Sequence, residues 1–140
     1  FPHGGQPHCC AFTGGVQPFM FDQDHYYMAL GSGKLSADPF LRFLADIFCA
    51  ARRPNVREAI FLATWTVQHA IETTQGGVAE PIRVGVMETV AGVLRARELP
   101  QTEVDEHQQA ITSAQESLRG WRDGIQSGRA AEGVAPPPQG

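Results

Sequence analysis

The chain has 140 residues, 42% of them hydrophobic and 19% charged, and a formal net charge of −4. That length supports one domain with a real core, and the mild acidity excludes the basic field that nucleic acid or an anionic membrane surface would require. Its apolar runs are broken by charges well short of the roughly 18 residues that a membrane span needs.

The first residues, Phe1-Pro2-His3-Gly4-Gly5, have neither the basic start nor the apolar stretch of a signal peptide. They also lack an initiator Met, so the chain reads as a fragment or a processed product. Three cysteines, Cys9, Cys10 and Cys49, are too few and too unevenly spaced for a disulfide framework. They read as small buried hydrophobes of a reducing compartment, which points to a cytoplasmic location. His3, His8, Cys9 and Cys10 form a short cluster without the two separated ligand pairs of a zinc site. Neither a metal nor another cofactor is expected.

Cys9 to Phe12 is a short apolar run ended by Gly14-Gly15. Val16 to Phe21 is a second, with Pro18 suggesting an edge or bulged position. Asp22, Asp24 and His25 then supply a polar, solvated turn. Tyr26 to Leu30 is a third run, and the short connections favour an antiparallel meander. After Gly33 the period changes. Phe40, Phe43, Leu44, Ile47 and Phe48 recur at helical spacing and predict a buried stripe. Ser36 or Asp38 can cap this helix, Pro39 suits its first turn, and Arg52-Arg53-Pro54 close it.

Asn55, with Glu58 three residues on, resembles a capping box for the next helix. Ile60, Ala63, Val67, Ala70 and Ile71 form its predicted buried stripe, and its end falls near Thr73-Thr74. Gln75-Gly76-Gly77 turns the chain. Ile82 to Met87 alternates as a strand does, with Val90 to Leu94 as its hairpin partner. Thr102 and Asp105 offer another capping box. From Val104 to Ile125 apolar residues alternate at spacings of three and four, predicting a long helix packed along one side. The seam packs either on its own domain or on another subunit. From Ser127 onward Gly, Ala and Pro dominate, and disorder is expected. The fold class is therefore α+β, with residues 1–100 as the main domain, 101–126 as a long helix and 127–140 as a tail.

Gly31-Ser32-Gly33 lies at the predicted strand-to-helix junction. A serine between two glycines there is well exposed, with backbone N–H groups beside it. Gly31-Ser32-Gly33-Lys34 is not a phosphate loop, because Met28 stands where the first glycine belongs and Leu35 follows the lysine. It is not a nucleophile elbow either, since Ser32 has glycine on both immediate sides. No acid and His partner for a serine hydrolase stands out.

The order of these motifs resembles the C-terminal half of a proteasome β-type subunit, a member of the N-terminal-nucleophile hydrolases. Phe12-Thr13-Gly14-Gly15, Phe19-Met20-Phe21-Asp22 and Ala29-Leu30-Gly31-Ser32-Gly33 come in the family's order. Two helical stripes, Gln75-Gly76-Gly77 and the strand from Ile82 follow, so the likeness covers residues 8–90. The resemblance implies part of a four-layer αββα sandwich. It implies a threonine-type peptidase acting on peptide or protein substrates, self-association into rings, and a possible ATPase partner. It gives Ser32 a supporting role beside the nucleophile's free amine, and Gly76 and Gly77 the turn after the second helix. Where the active family has Asp and, three residues later, Ser, this chain has Glu72 and Gln75. Glu is one methylene longer and Gln has no hydroxyl.

In that family a Thr, Ser or Cys at the mature N-terminus attacks the peptide carbonyl, and its own α-amine, with an ordinary pKa of about 8, is the base. Phe1 has neither hydroxyl nor thiol, so the chain by itself is expected to be inactive. The resemblance implies an upstream segment bearing the nucleophile and a lysine. The alternatives are a non-catalytic subunit of a proteasome-like ring, or another N-terminal-nucleophile amidohydrolase.

Overall fold

Among the described residues three helices carry the architecture, accompanied by three short antiparallel strand pairs. The structure, a computed structural model, describes residues 2–3, 6–7, 10–12, 14, 18–21 and 26–126. Among them β1 (Pro2–His3) pairs with β2 (Gln6–Pro7), and β3 (Cys10–Ala11) pairs with β4 (Phe19–Met20). In the second pair Cys10 faces Met20 and Ala11 faces Phe19. Pro18 lies immediately before β4, where its missing N–H breaks no ladder bond. Tyr26 to Leu30 is not a strand, so the expected three-stranded meander reduces to one short ladder. That segment instead lies along the first two helices. His8, Cys9, the Asp22 to His25 turn and the 127–140 tail lie outside the described residues.

Helix α1 (Lys34–Phe48) starts earlier than predicted, with Gly33 at its N-cap. The N–H groups of Ser36 and Ala37 bond to the Gly33 carbonyl, so Ser36 and Asp38 lie inside the first turns and cap nothing. Pro39 is an interior residue of α1. The carbonyl it leaves unpaired belongs to Leu35, which is exposed, so water can take it. Helix α2 (Val56–Thr73) opens on the predicted capping box. Asn55 Oδ1 accepts from the Glu58 N–H at 2.9 Å, and Glu58 Oε2 accepts from the Asn55 N–H at 2.8 Å.

Strand β5 (Gly85–Val90) begins three residues later than predicted. The Ile82 N–H is taken by the Glu80 carboxylate at 3.0 Å and is not available to a ladder. Val90 belongs to β5, and the partner strand β6 is Val93–Glu98, with Val90 opposite Val93. Ala91 and Gly92 both have positive φ, +51° and +79°, which makes the two-residue turn that suits the twist of a hairpin. Helix α3 (Gln101–Gln126) follows at once. The Glu103 and Val104 N–H groups bond to the Pro100 carbonyl, so Thr102 sits within the first turn and the expected box with Asp105 does not form. Asp105 accepts instead from Gln101 Nε2 at 2.9 Å.

The core forms two clusters along α2. Ile60 packs with Ile82, Val86, Leu99 and Val104, joining α2 to the hairpin and to the start of α3. Leu44, Leu62, Trp65 and Ile111 join α1, α2 and α3. The predicted α1 stripe is only partly buried. Leu44 is fully enclosed and Phe40 half-buried, whereas Phe43, Ile47 and Phe48 are exposed. Small residues, Ala37 and Ala45, are buried in their stead. On α2, Ile60 and Ala70 are buried as expected, but Ala63 and Val67 are exposed and face a groove. No helix among the described residues is long and apolar enough to cross a membrane.

Candidate functional site

The segment before α1 is held by a side-chain clamp. The Ala29 N–H donates to Asp38 Oδ1 at 2.9 Å, and Lys34 Nζ donates to the Ala29 carbonyl at 3.2 Å. Lys34 and Asp38 also pair with each other, one helical turn apart. Together they occupy both backbone groups of Ala29, much as a neighbouring strand would. This is why residues 26–30 lie on the helices without being in a sheet. Burial opposes the charge on Asp38, but hydrogen bonds from Lys34 and the Ala29 N–H and the lysine's charge outweigh it, so its pKa lies below the ordinary value. A lysine in a first turn opposes the helix dipole; its bonds to Asp38 and Ala29 offset that.

With Ala29 fixed, the Gly31-Ser32-Gly33 turn projects from the end of α1 towards the turn after α2. Ser32 Oγ donates to the Gly77 carbonyl at 3.0 Å, across 45 residues of sequence. The two glycine turns singled out in the sequence therefore meet. Gly77 has φ of +83°, and a Cβ there would lie 2.9 Å from Ser32 Oγ. Gly33 has an ordinary helical φ of −79° and is constrained by space alone, since a Cβ on it would meet Val78 Cγ2 at 2.9 Å. Gly31 and Gly76 have positive φ with open space around them, so they serve the turns through backbone conformation alone. Ser32 is exposed, and donating its proton leaves its oxygen lone pairs free to accept from an amine or ammonium.

Glu72 and Gln75 are not brought into this contact. Both are exposed, and the Glu72 carboxylate accepts from Gln68 Nε2 at 3.1 Å, one turn back on α2. A pair that sequence reasoning missed lies between the helix ends instead. Thr73 Oγ1 donates to the His69 carbonyl at 2.7 Å, so in its bond with Ser36 the serine is the donor. Only Ser36's place in the first turn, and Thr73's at the end of α2, could have signalled that pairing.

Beside the glycine turns, a groove of about 1200 Å³ runs between residues 26–33 and the α1–α2 pair. Leu30, Leu41, Leu62, Val67, Ala70 and Val78 make it apolar, and Ser32 and Gly77 also line it. Cys49, Tyr26 and Arg53 line it as well, the guanidinium lying 5.7 Å from the Tyr26 ring centre. Burial first, then a hydrogen bond with Cys49, pushes the Tyr26 phenol above its ordinary pKa. Lys34, offered by sequence as a superficial phosphate-loop residue, is committed to Ala29 and Asp38. Among the described residues no group of three or more His, Cys, Asp or Glu is placed to hold a metal ion. Comparison with known proteins finds no matching family model, curated protein or solved structure.

Proposed function

We propose that these 140 residues are the C-terminal part of a proteasome-like N-terminal-nucleophile hydrolase, a threonine-type peptidase subunit that assembles into rings. The carrying observation is the Ser32–Gly77 hydrogen bond, which joins the two glycine turns that the family places around its nucleophile. In this reading the amine of a Thr, Ser or Cys, on a segment these residues do not include, lies against Ser32. The hydroxyl accepts from it while giving its own proton to Gly77. Peptide or protein chains are the substrates.

A second observation supports the layered fold. One side of α2 packs on α3 through Phe61 and Trp65. The opposite side, Ala59, Ala63, Val67 and Ala70, lines the apolar groove. A helix that is apolar on two opposite faces has a second face left to cover. A sheet laid in the groove would cover that face and supply the helix-on-sheet contact that an αββα sandwich contains.

A non-catalytic ring subunit is the competing reading, favoured by the outward position of Glu72 and by Gln75 where a hydroxyl is wanted. N-terminal sequencing of the mature full-length protein, together with hydrolysis of fluorogenic peptides, separates the two. A Thr, Ser or Cys start with activity that falls at least ~10-fold in Ser32→Ala is the expected result. No activity, with no labelling by an inhibitor directed at N-terminal threonine, removes the peptidase reading.

A further inference from the structure

The contacts between α1 and α2 repeat every four residues. Phe48 meets Phe61 with ring centres 5.9 Å apart, and Leu44 shares a core cluster with Trp65. Phe40 stacks on His69 at 4.0 Å, Ser36 bonds to Thr73, and Ser32 bonds to Gly77. Each rung lies one ridge position from the next on both sides, so a single antiparallel seam runs from the aromatic end to the glycine turns. The rungs change character along it. The first three are apolar or aromatic, and the fourth joins two hydroxyls. There the bare Gly33 lets α1 approach α2 closely, since a Cβ on it would lie 3.4 Å from Ala70 Cβ. The fifth rung lies past both helix ends, because α1 starts at Lys34 and α2 stops at Thr73.

We propose that Ser36 and Thr73 are positioning residues for the Ser32–Gly77 contact, forming the rung that carries the register of the helices into the turns. Ser32 is fixed from its own side by the Lys34 and Asp38 clamp on Ala29. Gly77 follows Gly76, whose φ of +83° and open surroundings leave the turn to be held from outside. Two contacts with the start of α1 bracket Gly77: Thr73 on Ser36 before it, and Val78 on Gly33 after it. Only the first is directional. Ser36 donates to Thr73 Oγ1, and Thr73 donates to the His69 carbonyl at 2.7 Å, so each bond polarises the next. Hydrogen bonds weaken steeply with a change of length or angle, which the apolar contact of Val78 does not. The two hydroxyls therefore fix where the Gly77 carbonyl stands, and with it where Ser32 points its proton and its lone pairs. The consequence for an amine held by Ser32 rests on the hydrolase reading; the geometry does not.

Peptide hydrolysis by the full-length protein tests it with Thr73→Val, which keeps the side chain's shape without the hydroxyl, and Thr73→Ser, which keeps the hydroxyl. Thr112→Val is the control, because Thr112 donates to the Gln108 carbonyl one turn back on α3 as Thr73 does to His69 on α2. The expected result is a kcat about 10-fold lower in Thr73→Val with KM within about two-fold, and wild-type rates in Thr73→Ser and Thr112→Val. The acid limb of kcat/KM moves to lower pH in Thr73→Val, since an ammonium whose acceptor is displaced releases its proton more readily. A wild-type rate in Thr73→Val, or an equal loss in Thr73→Ser, overturns the proposal. Hydrogen exchange of the same proteins reads the geometry without the reaction. The Thr74 and Gly76 N–H groups, bonded to the Ala70 and Thr74 carbonyls, are expected to exchange at least ~5-fold faster in Thr73→Val than in wild type or Thr73→Ser. Equal exchange overturns the proposal even where activity is lost. Faster exchange in Thr73→Val, when the wild type hydrolyses no peptide, upholds the positioning and removes the hydrolase reading alone.

Discussion

Glu58 closes two structures with one carboxylate. It accepts from the Asn55 N–H in the capping box, and Arg52 donates to both its oxygens at 2.7 and 2.6 Å. The Arg52 hydrogen bonds first, then that from Asn55, lower its pKa from 4.5 to about 2. A carboxyl whose folded pKa is depressed stabilises the fold fully above its unfolded value, and loses that contribution as pH falls towards the folded value. The Glu58→Gln variant is therefore expected to melt below wild type at neutral pH, by a gap that stays constant down to about pH 5 and shrinks towards pH 2. Thermal melts of both proteins across that range check it; a gap that widens in acid would sink the assignment. Gly77 is constrained twice. Its positive φ and its closeness to Ser32 are separate demands, and glycine alone meets both.

Among the elements, the β5–β6 hairpin carries a local conflict. Ala91 sits at φ +51° in the two-residue turn, a conformation that costs an L-residue with a Cβ roughly 1–2 kcal/mol. The twist of the paired strands imposes this turn, and Gly92 beside it needs no such compensation. Ala91→Gly removes the strain, partly offset by the entropy that glycine loses on folding, so a net stabilisation of about 0.5 kcal/mol is expected from urea denaturation. A destabilised variant would mean that the turn is not held as described. In α1 the element is shaped by what precedes it: the Lys34 and Asp38 clamp on Ala29 draws the helix start back to Gly33.

At the scale of the whole molecule, α1 and α2 form a layer with apolar residues on both sides. The side facing α3 and the hairpin is closed, and the side lining the groove is open. Val67 lies on the open side, 38% exposed. In the 140-residue chain, Val67→Asp is expected to shift stability by no more than about 0.5 kcal/mol, as surface changes do. In the longer protein that the proposed sandwich requires, a sheet covers this position and the same change costs about 3 kcal/mol, because an unpaired carboxylate is buried. Chemical denaturation of both forms measures the difference. Equal, small effects would count against a sheet in the groove.

Much of the local structure was legible in the sequence because its causes are local. The Asn55 and Glu58 capping box, the end of α2 at Thr73, the glycine turn after it and the long α3 rest on residues three or four apart. The α1 start, the hairpin register and the stripe from Phe40 to Phe48 were misread because distant groups decide them. Asp38 prefers the Ala29 N–H to a cap, and the Glu80 carboxylate withdraws Ile82 from the strand. Periodicity identifies an apolar face but not its cover, so Leu44 is enclosed while Phe43 and Ile47 stand in the open. The motif pair Gly31-Ser32-Gly33 and Gln75-Gly76-Gly77 was visible in sequence as two turns. Their meeting was settled by tertiary structure, since only the packing of α1 on α2 brings Ser32 and Gly77 within a hydrogen bond of each other. Glu72 and Gln75, neighbours of that turn in sequence, are exposed, and Glu72 pairs with Gln68 on its own helix.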